Sequence, residues 1–308
     1  MHNMLAPPTR RQFLAGLAAF FATLSLVFCN AALHAQERVD STSYASGLLW
    51  EVTAPNGKRS TLLGTIHSED PRVLAAFAPF ATTFASAERV FFELDFGSPE
   101  TQQMAAAMFL PRSESLHALL GSPLFEQTAA MMRRHGAGTM ELDRLKPWAA
   151  MVVLSMPVPV TGDYLDKVLY DRAQAAGKQV RGLESTREQI SVFDDLALAD
   201  QVALLRETVM LGDQLPALLD QMTSLYLAKD LKQLEQLYRD YLGPGDDALA
   251  ARIHQRLVTE RNRRMFDRMR PFLAQGNNFV AVGALHLAGE QGLLTLLARD
   301  GFGVRRLD

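Results

Sequence analysis

A short run near the carboxyl end of the chain, residues 278–285, constrains the fold more than any other feature. Its sequence, Asn-Phe-Val-Ala-Val-Gly-Ala-Leu, is apolar almost throughout, which is typical of a strand buried on both faces. A helical pattern precedes it from 247 to about 273, and another follows from 289 to about 299. A buried strand between helices predicts an α/β domain, in which helices cover a sheet.

Five further segments have the composition of strands. Residues 48–52 and 60–64 flank an Asn-Gly step at 56–57, which favours a tight hairpin, and 89–94, 179–184 and 301–307 are short strand candidates. A helix is predicted over 71–87, and residues 99–242 are mainly helical. We therefore predict an α/β (α+β) fold with a central mixed, largely parallel sheet flanked by helices, an opening β-hairpin and a large helical insert at about 99–242, within a single domain over 48–308.

The first 35 residues predict export. Arg10-Arg11 precede Phe13-Leu14, and the stretch 12–36 carries no charged residue, which is the pattern of a twin-arginine signal peptide. We expect cleavage after Ala35, a linker over 36–47 and a periplasmic mature protein. The alternative is an uncleaved anchor in the inner membrane, because the apolar run 13–29 is only slightly shorter than the roughly 20 residues of a spanning helix.

Composition excludes several classes of function. Cys29, the only cysteine, lies in the signal, so the mature chain has neither disulfides nor thiolate metal sites. The formal net charge is −3, and removal of a signal with two arginines and no acids takes it to −5. That balance argues against nucleic acid as a partner, and against membrane contact except through an uncleaved signal. His-Glu-x-x-His, Gly-x-Ser-x-Gly and phosphate-loop motifs are absent, and the oligomeric state stays open.

Four predicted strands end in a side chain that binds metals or moves protons. These side chains are His67, Glu93, Glu184 and His286. Ligands of open α/β sheets bind beyond the carboxyl ends of the strands, so we expect the four to converge although they are distant in sequence. Both histidines lie in a Gly-x-x-His setting, where the glycine allows another backbone or a ligand to approach closely.

Two imidazoles with one or two carboxylates suit Zn, Mn, Co or Fe better than Ca or Mg. We predict that His67 and His286, together with one of the two glutamates, bind a divalent metal that lowers the pKa of its bound water toward neutrality. One of Glu93 and Glu184 would be a ligand and the other the general base, and the sequence does not decide between them. Arg261 lies in an arginine-rich helix that otherwise has the pattern of a solvated face; we expect it to donate to a substrate carboxylate or a developing oxyanion.

Motifs along nearly the whole mature chain resemble those of the TraB/PrgY/GumN family, in the same order. They are Leu48-Leu49-Trp50-Glu51-Val52, Leu63-Gly64-Thr65-Ile66-His67, the Glu93 strand, Lys146-Pro147-Trp148, Gly182-Leu183-Glu184 with Gln189, Glu260-Arg261-Asn262, and Gly283-Ala284-Leu285-His286-Leu287 with Gly289 and Gly292. The paired Gly-x-x-His elements are the most specific of these motifs.

The resemblance implies a metal-dependent hydrolase. The family is grouped with the Tiki metal-dependent proteases and, more distantly, with erythromycin esterases and the ChaN haem-binding proteins. By this resemblance Glu93, Glu184 and Arg261 are the catalytic candidates, and His67, Glu93 and His286 the metal ligands, for hydrolysis of an amide or ester in a peptide or small-molecule substrate. Two alternatives remain: a haem- or metal-binding protein without catalysis, and an interaction protein that sequesters a peptide.

Overall fold

The computed structural model describes residues 44–242 and 247–308. The predicted signal peptide, the linker as far as residue 43 and the Gly243-Pro244-Gly245 break therefore lie outside the described residues. Within those two ranges, no helix combines the length and the apolar character needed to cross a membrane. The described chain forms two compact units, one of residues 96–163 and 186–220, the other of residues 44–95, 164–185 and 221–308 apart from the gap.

The strands and helices have the following bounds. The strands are β1 Leu49–Thr53, β2 Arg59–Thr65, β3 Arg89–Phe92, β4 Gln179–Gly182, β5 Asn278–Gly283 and β6 Gly303–Arg306. The helices are α1 Pro71–Ala76, α2 Ala81–Ser86, α3 Pro99–Ala107, α4 Leu116–Leu120, α5 Ser122–Met132, α6 Thr139–Leu142, α7 Pro147–Leu154, α8 Leu165–Ala175, α9 Thr186–Asp194, α10 Leu198–Leu211, α11 Leu215–Leu227, α12 Leu231–Leu242, α13 Asp247–His254, α14 Arg261–Leu273 and α15 Leu293–Arg299.

The second unit contains a six-stranded sheet in the order β4-β3-β5-β2-β1-β6. β1 pairs antiparallel with β2 and β6, whereas the pairs β2–β5, β5–β3 and β3–β4 are parallel. All six residues of β5 are buried, as expected for a central strand between helices. The predicted α/β class, with its mixed, largely parallel sheet, is confirmed.

The opening hairpin forms at the predicted Asn-Gly step. Thr53 pairs with Arg59 at its end, and Gly57 has a φ of 82°, a backbone conformation that glycine adopts without steric cost. Asn56 stabilises the turn, since its side-chain oxygen accepts a hydrogen bond from the Lys58 N–H at 3.1 Å.

Three helical segments differ in detail from the sequence prediction. The helix expected over 71–87 is interrupted by a 3₁₀ turn at Ala78–Phe80, because Pro79 has no N–H to donate and disfavours helical geometry in the residue before it. The last helix begins at Leu293, since Gly289 has a φ of 85° and cannot belong to a right-handed helix. Between α13 and α14, Gln255–Glu260 form a π-helix.

The first unit is helical in its described part and is built around α7. Every side chain of α7 is buried, and α7 packs against α10 and α5. The Lys-Pro-Trp motif begins this helix. Lys146 Nζ and Trp148 Nε1 both donate to Asp194 Oδ1, at 2.6 and 2.8 Å, so the motif ties the start of α7 to the end of α9.

Candidate functional site

The four strand-end side chains predicted to converge belong to neighbouring strands. Glu184 follows β4, Glu93 follows β3, His286 closes a 3₁₀ turn after β5, and His67 follows β2. Because β4, β3, β5 and β2 are consecutive in the sheet and mutually parallel, their carboxyl ends lie at one edge. The pairing extends beyond β3 and β4, since the Glu184 N–H donates to the Glu93 carbonyl at 2.8 Å.

Gly64, in the first Gly-x-x-His motif, is a point of close approach between the two motifs. A Cβ atom at this position would lie 2.7 Å from Leu287 Cδ1 and 3.0 Å from Ala284 Cα. The turn that carries His286 therefore packs directly on the strand that precedes His67. The glycine is required here for close packing, since its φ is not positive.

Arg261 connects the two glutamates. Its Nη2 lies 2.5 Å from Glu93 Oε2 and 2.7 Å from Glu184 Oε2, and its Nε donates to Glu184 Oε2 at 2.8 Å. Arg264 Nη1 donates to the other oxygen of Glu184 at 2.8 Å. Arg261, Glu93 and Glu184, which together we call the Arg261 bridge, are almost completely buried. With Arg264 they form a cluster of two carboxyl and two guanidinium groups beside the sheet edge, in which opposite charges lie next to each other.

The arginine-rich helix is thus only partly the solvated face that its composition suggested. Arg261 is its first residue, directly after the π-helix, and Arg264 and Arg268 follow at helical spacing. Arg268 Nη1 donates to the Leu183 carbonyl at 2.8 Å, beside Glu184. All three arginines therefore reach the end of β4 or the residues after it, and π-helices of this kind occur frequently at functional sites.

Glu93 is held on both oxygens. Oε1 accepts from the Gly283 N–H at 2.7 Å, while Oε2 accepts from Arg261. Burial raises the pKa of Glu93 to about 8, although Arg261 and the Gly283 N–H act in the opposite direction. His286 Nε2 lies 3.6 Å from Oε1. A carboxyl group that titrates near neutrality and has a fixed orientation suits acid–base chemistry.

The tautomer of His286 follows from its contacts. Asn262 Nδ2 donates to the Gln291 carbonyl at 2.8 Å, which fixes the amide so that Oδ1 faces the histidine. Asn262 Oδ1 lies 2.6 Å from His286 Nδ1, and an amide oxygen only accepts, so Nδ1 carries the proton. Burial, and secondarily Arg261, lower the pKa of His286, so the ring is neutral and its Nε2 carries the lone pair.

His67 adjoins a carboxylate that the sequence did not reveal, Asp166 on the first turn of α8. Asp166 Oδ1 accepts from the Thr65 hydroxyl at 2.7 Å, and its Oδ2 lies 3.3 Å from His67 Nε2. Both ring nitrogens of His67 and Oδ2 of Asp166 are buried without a hydrogen-bond partner. The Tyr164 ring packs on the imidazole at 4.5 Å between centroids, and burial lowers the pKa of His67.

These donors are compatible with a divalent metal in type, and both imidazoles are in the neutral form that binds one. Neutral imidazoles and carboxylates are its usual ligands, and buried polar atoms without partners are rare in folded proteins unless they have a role. Among the residues that the structure describes, no three His, Cys, Asp or Glu side chains are already arranged around one point. The candidate side chains instead occur as two nitrogen–oxygen pairs, His67 with Asp166 and His286 with Glu93.

A comparison with known protein families agrees with the resemblance found in the sequence motifs. The model of the TraB/PrgY/gumN family matches residues 48–306, which is most of the chain. The chain belongs to this family. The match includes every strand of the sheet and all the site residues described above.

The relatives of known name include metalloproteases. The chain is similar to the metalloproteases TIKI2 and TIKI1 of Danio rerio, with 26% identity over 95% of this chain and 67% of TIKI2, and 25% over 84% of this chain and 63% of TIKI1. It is also similar to the uncharacterized protein YbaP of Shigella flexneri, with 24% identity over 80% of this chain and 90% of YbaP. The chain thus spans about two thirds of the length of the two TIKI proteins.

Proposed function

We propose that this protein is an exported metal-dependent hydrolase of the peptidase type, which cleaves an amide or ester bond in a peptide or small-molecule substrate. The observation that carries the proposal is the cluster at the carboxyl ends of β4, β3, β5 and β2. There the neutral His286 lies 3.6 Å from the buried, titratable Glu93, and the neutral His67 lies 3.3 Å from Asp166. The similarity to the TIKI metalloproteases supports the same class of reaction.

Each residue of the cluster has a chemical role in this proposal. His67 and His286 would hold the metal through neutral imidazoles, with Asn262 fixing the orientation of the second. When bound, a divalent metal supplies Lewis acidity that polarises a carbonyl group and lowers the pKa of water. Glu93 accepts and returns protons, and Arg261 holds its carboxyl group in place.

Metal content tests this proposal most directly. Elemental analysis of the purified protein should find a transition metal in the wild type and much less in His67→Asn, because an amide is a far weaker ligand than an imidazole. His117→Asn is the matched control, since His117 is exposed, lies in the other unit and has its ring Nε2 3.0 Å from the Ser122 hydroxyl. Equal metal in wild type and His67→Asn would refute the site.

Catalysis needs a separate measurement. Glu93→Gln should retain metal but lose hydrolysis of a peptide library by a factor of about 100 or more, as for the loss of a general acid–base group. Retained hydrolysis in this variant would exclude Glu93 from proton transfer. Absorbance of bound haem in the purified protein, with no hydrolysis, would instead favour the haem-binding alternative.

Export through the twin-arginine route to the periplasm is part of the proposal. It is supported by Arg10-Arg11 and the uncharged stretch that follows. Changing both arginines to lysine in the full chain should abolish recovery in the periplasmic fraction. A control change of Lys58 and Arg59 in the hairpin, which lies outside the signal, should leave it intact. Periplasmic recovery of the twin-lysine variant would contradict this route.

A further inference from the structure

Asp166 is a buried carboxylate without a cation from the protein. Asp166 is 2% exposed. Its Oδ1 accepts a hydrogen bond from the Thr65 hydroxyl, whereas its Oδ2 has no hydrogen-bond partner. In the part of the chain that the structure describes, His67 is the only basic side chain within ion-pair distance of it, and burial keeps that imidazole neutral. A buried carboxylate is costly unless it is paired with a charge or coordinates a metal.

The two glutamates of the same edge differ from Asp166 in this respect. Glu93 is paired with Arg261, and Glu184 is paired with Arg261 and Arg264. Their charges are therefore balanced within the protein. Asp166 is the acidic side chain of the site whose charge still requires a partner.

The geometry of Asp166 and His67 is that of two ligands rather than of a hydrogen bond. Oδ2 and Nε2 are 3.3 Å apart, close enough for a hydrogen bond, yet neither atom forms one. Two ligand atoms that point at a common ion do not point at each other. With metal–ligand bonds of about 2.0–2.1 Å at tetrahedral angles, such atoms lie about 3.3 Å apart.

We infer that Asp166 Oδ2 is a metal ligand beside His67 Nε2, and that Glu93 is thereby left as the acid–base group rather than a ligand. This inference rests on the proposed function, because it names the carboxylate ligand of that same site. It also explains why Thr65 fixes only one oxygen of Asp166. The other oxygen remains available to the ion.

Titration with Co²⁺ tests the inference on the full-length protein after removal of metals with a chelator. Asp166→Asn keeps the shape of the side chain and the acceptor for Thr65 but lacks the charge. We expect Co²⁺ affinity to fall by at least about tenfold, with a changed visible spectrum because a ligand has been replaced. Asp95→Asn is the matched control, since Asp95 lies in the same unit and accepts a hydroxyl hydrogen bond from Tyr170 at 2.8 Å. It should bind as the wild type does.

The melting temperature, measured with and without metal, is a second test. It distinguishes a metal ligand from a residue whose role is only structural. In chelator, Asp166→Asn should melt at a temperature no lower than the wild type, because the buried charge is gone. Addition of Co²⁺ should raise the melting temperature of the wild type and much less that of the variant. A variant that melts well below the wild type in chelator would mark Asp166 as structural and overturn the inference.

The outcomes separate this inference from the proposed function. If His67→Asn loses Co²⁺ while Asp166→Asn binds within about threefold of the wild type, or with an unchanged spectrum, Asp166 is not a ligand and the hydrolase proposal stands. If the wild type itself binds no Co²⁺, Zn²⁺ or Mn²⁺, the hydrolase proposal fails and this inference fails with it.

Discussion

The buried Arg261 bridge permits a quantitative prediction. In Arg261→Met the side chain keeps much of its length but loses its charge, and Glu93 and Glu184 lose their shared guanidinium group. Glu184 retains Arg264, whereas Glu93 loses its guanidinium partner and keeps the Gly283 N–H. Breaking a buried ion pair from one side typically costs about 3–5 kcal/mol of folding free energy. We expect a loss of this size at pH 9, where the Glu93 carboxyl is ionised in the wild type.

The cost should depend on pH with a definite sign. Because the pKa of Glu93 is raised above its unfolded value, protonation of this group favours the folded state at low pH, and the benefit is lost as pH rises through about 8. Without Arg261, the Glu93 carboxyl group must either take up a proton or stay ionised without its guanidinium partner. The variant should therefore lose less stability at pH 6 than at pH 9, by up to about 1.4 kcal/mol, because pH 9 lies one unit above the wild-type pKa of about 8.

Urea unfolding at both pH values measures these costs. The matched control is Arg305→Met, whose ion pair with Glu51 is largely exposed and should be worth less than about 1 kcal/mol. Adding Glu93→Gln to Arg261→Met should recover a large part of the loss, because no stranded charge remains. A loss below about 1 kcal/mol at pH 9, or one that is equal at both pH values, would show that the bridge is not the buried charge cluster described here.

Three further predictions concern single side chains. Gly64→Ala should lose about 1–3 kcal/mol in urea unfolding, because its Cβ would overlap Leu287; an unchanged midpoint would contradict the close packing. Asn262→Leu should lose the Nδ1–H tautomer of His286 in ¹⁵N NMR and about 10–100-fold in metal affinity, and a retained tautomer would disprove the orientation. His135 has its pKa lowered to about 4 by burial, so wild-type stability should fall by up to about 3 kcal/mol between pH 6.5 and 4, whereas His135→Leu should lack this slope.

The strand ends were predictable because their signal is local. A short apolar run followed by His or Glu identifies both the strand and the residue at its carboxyl end, as at β3 with Glu93 and at β5 with His286. The parallel order then places these residues at one edge. The Asn56-Gly57 turn was equally local, since the dipeptide determines the hairpin.

Asp166 was missed because it lies on a helix and not at a strand end. A weaker signal was present, however. In α8 the buried residues include Leu165, Leu169 and Ala173, and Asp166 lies among them on the buried face. An acidic residue at an apolar position of an amphipathic helix is a reason to expect a partner there. Which residue lies opposite Asp166 depends on the tertiary structure, which the helix pattern does not contain.

Other features depend on tertiary packing that periodicity does not encode. Residues 255–260 have the sequence pattern of an ordinary α-helix. The π-helix that they form, with its extra residue in the turn before Arg261, could therefore not be predicted. His135 and His254 lie in helical segments and not at strand ends, yet they are only 7% and 8% exposed. The arginines of α14 looked like a solvated face because charge alone does not reveal a buried carboxylate opposite.

The parallel pairing of β2 with β5 has a consequence for how the chain is made. Residues that meet across this pair, such as Ser60 and Asn278, are 218 positions apart. At a synthesis rate of about 5–20 residues per second, β5 is synthesised roughly 10–40 s after β2. During that time the hairpin of β1 and β2 has an unpaired edge of the kind that attracts other strands. The nascent chain should therefore depend on chaperones until β5 has emerged.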